Sequence, residues 1–407
     1  MKRFIFILSC LFSLLTVSAQ DFAEHFCDST LRLDYIFAGD TAAQHIFVDE
    51  LSMTPRWYGR RQRLAELPLQ GNGQLTVTDP ATGDTLYRHS FSTLFQEWLS
   101  TAEAKHTAKS FENVFLIPYP KHPVAVTVQL RDFHNRVTAS LRHEVSPDDI
   151  LIRHPATQTP YITLQQAADT TRCIHIAFVA EGYTAEQMDS YLADCRTAMD
   201  ALFEHEPFRA MRTRFHIIAL LSPSRDTDVS QPGKGIWLDT ALGSHFDTFY
   251  STRYLTTLRL KRLHDLLSGT PYEHIIVLAN TAHYGGGGIF NSYNLSYTRG
   301  KHFRPVVVHE FGHSFGGLGD EYPYGDDDPM YFADTEPWEP NLTTHPDHPK
   351  WQGLIDRGMA SLVEGGGYLS KGVWRAQEDC RMRTNEHPTF CPVCQQALGR
   401  LIDFYTK

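Results

Sequence analysis

The sequence predicts an α+β protein in two parts. A β-sandwich-like domain covers 20–150, and an α/β domain with a mixed sheet and a site-bearing helix covers 165–407. Three observations lead there. The first part shows short strand-like runs broken by turn residues; the second alternates strand and helix patterns. Between them lies a loop-rich stretch, with Ser146-Pro147-Asp148-Asp149, His154-Pro155 and Thr157-Gln158-Thr159-Pro160. A length of 407 residues suits two domains. With 42% hydrophobic and 21% charged residues the chain is ordinary globular material, which excludes extended disorder and coiled coil.

The elements follow in order. Met1-Lys2-Arg3, an apolar run from Phe4 to Val17 and the ending Val17-Ser18-Ala19 form a secretory signal peptide over 1–19, with cleavage expected between Ala19 and Gln20. The run is short for a membrane span, and no later segment is long and apolar enough, so an exported protein is expected: periplasmic, cell-surface or secreted. Leu75-Thr76-Val77-Thr78 and Thr85-Leu86-Tyr87 flank the turn formers Asp79 to Asp84, a hairpin signal. Val114–Ile117 and Val124–Leu130 read as further strands. His45, His89, His106 and His134 in this part are scattered, and packing accounts for them.

In the second part Cys173–Val179, Phe215–Leu221 and His274–Ala279 read as buried strands. Thr184-Ala185-Glu186-Gln187 is a capping box opening a helix whose apolar face includes Met188, Leu192, Cys195, Met199 and Phe203. Arg253 to Leu267 reads as a second helix. The charge sum of −10 argues against nucleic acid or an anionic membrane surface as the main partner.

The chemistry sits in Val306–Tyr322. His309 and His313 are four apart, so on a helix their imidazoles share one face and can bind one tetrahedral Zn2+. Glu310 follows the first ligand and can take a proton from water beside the ion. Pro305 suits the first helical turn, and Gly316-Gly317 with Gly319 can end the helix and turn the chain back toward a third ligand. Metzincins place that ligand at the position held here by Gly319, which has no side chain. Asp320 is the first choice and Glu321 the second; His283 and His302 are outsiders. Tyr284–Asn291, with Gly286 and Gly287 in its glycine run, can form a cleft edge along which an extended peptide pairs. Met382 is a candidate apolar floor beneath the metal. Tyr322 and Tyr324 are candidate oxyanion donors, and Asp326-Asp327-Asp328 reads as a solvated loop rather than a calcium site.

Removing the leader leaves Cys27, Cys173, Cys195, Cys380, Cys391 and Cys394. In an oxidising compartment an even number permits disulfides. The C-terminal trio is expected to form a local disulfide staple, because Cys-x2-Cys zinc sites usually need two pairs.

The motif through Asp320-Glu321-Tyr322 resembles the IgA-peptidase family of secreted bacterial zinc metallopeptidases. So do Glu181-Gly182-Tyr183-Thr184, Tyr284–Asn291, Cys380-Arg381-Met382 and Phe390–Cys394. The family's N-terminal β-rich domain is matched by Arg32–Phe37, Trp57-Tyr58-Gly59, Phe91–Trp98 and Thr101–Ala104. The resemblance implies a zincin-type catalytic domain, zinc held by His309, His313 and Asp320, Glu310 as base and Met382 beneath the metal. The expected function is a secreted zinc endopeptidase acting on extracellular proteins or peptides. The rivals are a non-catalytic surface protein that binds host protein or glycan, and a zinc hydrolase acting on a non-protein amide.

Overall fold

The computed structural model describes residues 22–155, 158–323 and 330–407. The signal-peptide region, Tyr324 and Asp326-Asp327-Asp328 lie outside them. The N-terminal part begins with a short helix, α1 (Phe22–His25), and two long strands, β1 (Phe26–Gly39) and β2 (Gln44–Pro55). The hairpin follows as β3 (Gly73–Thr78) and β4 (Thr85–Phe91), then α2 (Leu94–Trp98), β5 (Lys109–Pro120), β6 (Val124–Arg131) and β7 (Val137–Val145). They form two antiparallel sheets, ordered β2-β1-β5 and β4-β3-β6-β7. Phe37, Phe91, Phe95 and Phe115 pack between them.

The second part contains β8 (Tyr161–Gln165), β9 (Ile174–Glu181), α3 (Met188–Phe203), β10 (Phe215–Leu220), α4 (Leu260–Leu266), β11 (His274–Ala279), β12 (Gly286–Ile289) and β13 (Tyr293–Tyr297). It continues with α5 (Phe303–Ser314), α6 (Gln352–Ile355), β14 (Val363–Gly366), β15 (Leu369–Arg375) and α7 (Pro392–Thr406). Six strands make a mixed sheet in the order β12-β13-β11-β9-β10-β8. Its four inner strands are parallel, and antiparallel β12 and β8 close the edges.

Every residue of β9 is buried, as expected of a parallel strand covered on both faces. Ile174, Ile176, Phe178 and Ala180 face α3, α5 and α7, joining a core with Met199, Val307, Phe311 and Leu401. Ala177 and Val179 face the other way, into a core shared with Leu33, Phe37, Phe115 and Val128. The N-terminal sheets, together with α4, therefore cover one face of the mixed sheet, and α3, α5 and α7 cover the other.

The helix expected over Arg253–Leu267 begins only at Leu260. Tyr254 and Thr256 are held instead in β-bridges to Gly286 and His245, which extended backbone satisfies and helix does not. β-branched and hydroxyl residues in Ser251-Thr252 and Thr256-Thr257 weaken the local helical preference. Helices α3 and α5 fall where the capping box and the His motif place them. Among the described residues no helix is long and apolar enough to cross a membrane.

Candidate active site

Helix α5 packs beneath edge strand β12, and glycine makes that approach possible. A Cβ at Gly288 would stand 2.4 Å from the Glu310 carbonyl oxygen, and one at Gly286 would stand 2.6 Å from Glu310 Oε1. On the opposite side Met382 is fully buried against Gly312, where a Cβ would meet its sulfur at 2.6 Å. The helix ends at Ser314, and Gly317 takes the left-handed φ of +57° that reverses the chain. Leu318 N–H then bonds back to the Gly312 carbonyl at 3.1 Å, and the segment of residues 319–321 returns beside the helix.

That return brings Asp320 to the histidines. Asp320 Oδ1 lies 3.0 Å from His309 Nε2 and 3.2 Å from His313 Nε2, and the two Nε2 atoms are 3.0 Å apart. A tetrahedral ion with bonds of about 2.0–2.2 Å would separate such donors by about 3.3–3.5 Å. The imidazoles are also oriented for it. His309 Nδ1 is 2.9 Å from the Arg381 carbonyl and His313 Nδ1 is 2.6 Å from the Leu318 carbonyl. Each Nδ1–H donates to its carbonyl, which leaves both Nε2 lone pairs facing the same point as the Asp320 carboxylate. Two acceptors at hydrogen-bond distance need a cation or proton between them, so the donor set fits a metal.

Electrostatics agree. Burial works against a charged His313, but the Asp320 carboxylate outweighs it and lifts this imidazole to about 9 in the metal-free site. Asp320 is also buried, yet the two imidazoles hold it well below the usual carboxylate value. Burial raises Glu310, with the flanking imidazoles pulling it back. Tyr368 donates its hydroxyl to Asp320 Oδ2, fixing the carboxylate from behind. Tyr322 lies parallel to His309 at a ring separation of 6.3 Å.

The returning segment is clamped. Asn341 bonds the Gly319 N–H and carbonyl, and Glu321 N–H bonds the Met382 carbonyl at 2.9 Å. Asp320 and Glu321 point to different places: Asp320 joins the histidines, while Glu321 turns away toward the cysteines. His283 and His302 stand apart from the cluster; His283 faces the Thr252 carbonyl and His302 precedes α5.

A cleft of about 690 Å³ opens over His309, Glu310 and His313. Gly286 and Gly287 line it, but neither offers an open strand edge. The outward carbonyl of Gly286 faces Leu255 N–H, and Gly287 pairs inward with Leu295 on β13. Alternation turns the N–H and carbonyl of Gly288 outward, between the partners of Gly286 and of Phe290, whose carbonyl accepts from Ser92 N–H. Gly288 is thus the exposed rung, one position beyond the glycines singled out from the sequence.

The opposite wall comes from the N-terminal part: Asn72, Ser92, Glu97 and Phe133 line the same cleft. Glu97 accepts the hydroxyl of Tyr254, and burial pushes its carboxyl up to about 7. Nothing in its local sequence marks it, since α2 reaches the cleft only through the packing of the two parts.

The C-terminal trio does not form the expected staple. Cys380 Sγ and Cys394 Sγ are 3.8 Å apart, against about 2.05 Å in a disulfide, and all six described cysteines are free thiols.

A sequence model described as IgA Peptidase M64 matches residues 162–363, and one described as Peptidase M64 N-terminus matches residues 21–142. No curated protein matches the chain.

Proposed function

The chain belongs to the IgA peptidase M64 family and is a peptidase, and we propose that it is an exported, zinc-dependent endopeptidase of zincin type. The observation that carries this reading is the convergence of His309 Nε2, His313 Nε2 and Asp320 Oδ1 beside the buried Glu310, at the floor of an open cleft. Bound there, zinc supplies a Lewis acid that acidifies water and polarises a carbonyl.

The protein's own residues do the rest. Glu310 takes the proton of the attacking water on its carboxylate and passes it to the leaving amine. Burial suits it to that exchange by bringing the carboxyl closer to neutral pH, while the imidazoles keep it ionisable. Tyr368 holds Asp320 in place, and the carbonyls of Arg381 and Leu318 hold the histidines. Met382 supports α5 from below. An extended peptide is held along β12 by backbone bonds to Gly288, with the chain passing between β12 and the Glu97 wall. The substrate is an extracellular protein or peptide, a reading supported by the signal-like N-terminus.

The test is to strip the purified protein with a chelator, restore zinc, and offer a mixed peptide library together with immunoglobulin A. Cleavage that disappears with the metal and returns with zinc is the expected result. Cleavage that persists unchanged in the fully stripped protein overturns the zinc reading.

A further inference from the structure

We propose that Glu321, Cys380, Cys391 and Cys394 form a second zinc site, closed and structural, behind the first. Their four donor atoms lie within 4.8 Å of one another and all four residues are buried. The spacings are those of a coordination shell. Thiolates around a tetrahedral zinc, with bonds of about 2.3 Å, stand about 3.8 Å apart. Cys380 Sγ and Cys394 Sγ are 3.8 Å apart, and Cys394 Sγ is 3.4 Å from Glu321 Oε1.

A second observation points to an occupant. Glu321 is 0% exposed, and its Oε2 has no hydrogen-bond partner among the described residues. An orphaned carboxylate oxygen beside three thiols is costly without a cation. Cys391 caps the first turn of α7, where its sulfur accepts Cys394 N–H at 3.5 Å and the helix dipole favours a thiolate. Asn341 donates to Glu321 Oε1 at 2.9 Å, but a disulfide between any two of the thiols would still leave Oε2 without a partner.

The donor set is complete, so no position remains for water or substrate, which marks a structural site. Its placement gives it a purpose. Glu321 follows the candidate ligand Asp320. Cys380 precedes Arg381, whose carbonyl orients His309, and Met382, which lies under α5. One ion would tie the returning segment, the Met382 loop and α7 together, and so fix the first site's geometry from behind.

The experiment uses the full chain and a His309→Ala/His313→Ala variant, each loaded with zinc and, separately, with cobalt. The expected zinc content is two per chain in the wild type and one in the variant, and the cobalt-loaded variant shows a thiolate-to-cobalt charge-transfer band. If the wild type holds one zinc, the variant none, and the band is missing, the second site is overturned. Peptide mapping that joins two of the three cysteines in a disulfide overturns it too. If the first site is wrong and the second right, wild type and variant hold one zinc each and the band persists. Cys391→Ser/Cys394→Ser is expected to lose one zinc and the band; if it does not fold, the histidine variant decides the question alone.

Discussion

Tyr368 shows how a single hydroxyl, 48 positions from its partner, fixes a carboxylate of the proposed ligand set. Outer partners of this kind typically contribute 10–100-fold in metal affinity. Tyr368→Phe is therefore expected to weaken zinc binding by about that factor, read by competition with a chelator, with little change in folding. Glu97 carries a second prediction. Its ordinary value of 4.5 rises to about 7 in the folded, metal-free protein. The raised carboxyl stays protonated while the unfolded chain ionises, so its contribution is fully present below about pH 4.5 and is lost as pH rises toward about 7. Glu97→Gln in the chelated protein should flatten the fall of stability across that window, measured by denaturant unfolding at several pH values. An unchanged slope would show that Glu97 titrates normally. Neither residue was legible in the sequence as part of a site. His309, Glu310 and His313 were legible because their relation is local, one turn of one helix, and Asp320 because a glycine reversal returns it. Tyr368, Glu97 and the Arg381 carbonyl arrive by distant packing, which leaves no local period to read.

Helix α5 depends on what lies above and below it. Met382 is fully buried against Gly312. Met382→Ala is expected to cost about 2–5 kcal/mol through the cavity it opens. A calorimetric or denaturant midpoint shift checks it, and Met382→Leu should recover most of the loss. The elements that the sequence displayed are those with a clean signal: the hairpin of β3 and β4, the mainly apolar, buried β9 and β11, and the capped start of α3. Strand β1 was hidden because Arg32 and Asp34 interrupt its apolar pattern. In the fold they pair with each other at 2.7 Å on one face of the strand. The segment before α4 misled in the other direction: Leu255 has helical spacing, but it is buried in bridged, extended chain. The cysteine trio misled because Glu321, the fourth member of its cluster, lies far upstream and is not a residue that cysteine spacing counts.

The whole molecule is two parts with a common interior. Core residues of β1, β5 and β6 mix with those of β9, β10 and β11 on one face of the mixed sheet. Arg32 adds a polar rivet, donating to Asp265 of α4 at 2.6 Å and to the Lys261 carbonyl. Asp265 is largely exposed, so that arm contributes about 0–1 kcal/mol, whereas removing one partner of the buried Arg32–Asp34 pair typically costs about 3–5 kcal/mol. A chain starting at residue 159 would expose Ala177, Val179, Ile218 and Val277, now buried by the N-terminal sheets. It is expected to be insoluble or unfolded, whereas the full chain unfolds in one transition; a soluble, cooperatively folding fragment would refute the shared core. The same packing makes the N-terminal part a wall of the cleft, so substrate preference should respond to changes at Asn72 and Phe133 as well as near the helix.

The proposed role of Glu310 is to move a proton at a metal held by its neighbours. The most direct test compares kcat/KM and bound zinc in the wild type and Glu310→Gln on one cleaved peptide. Equal zinc and a loss of about 10²–10⁴-fold in rate are expected. A Glu310→Gln protein that holds its zinc and cleaves as fast as the wild type would contradict it.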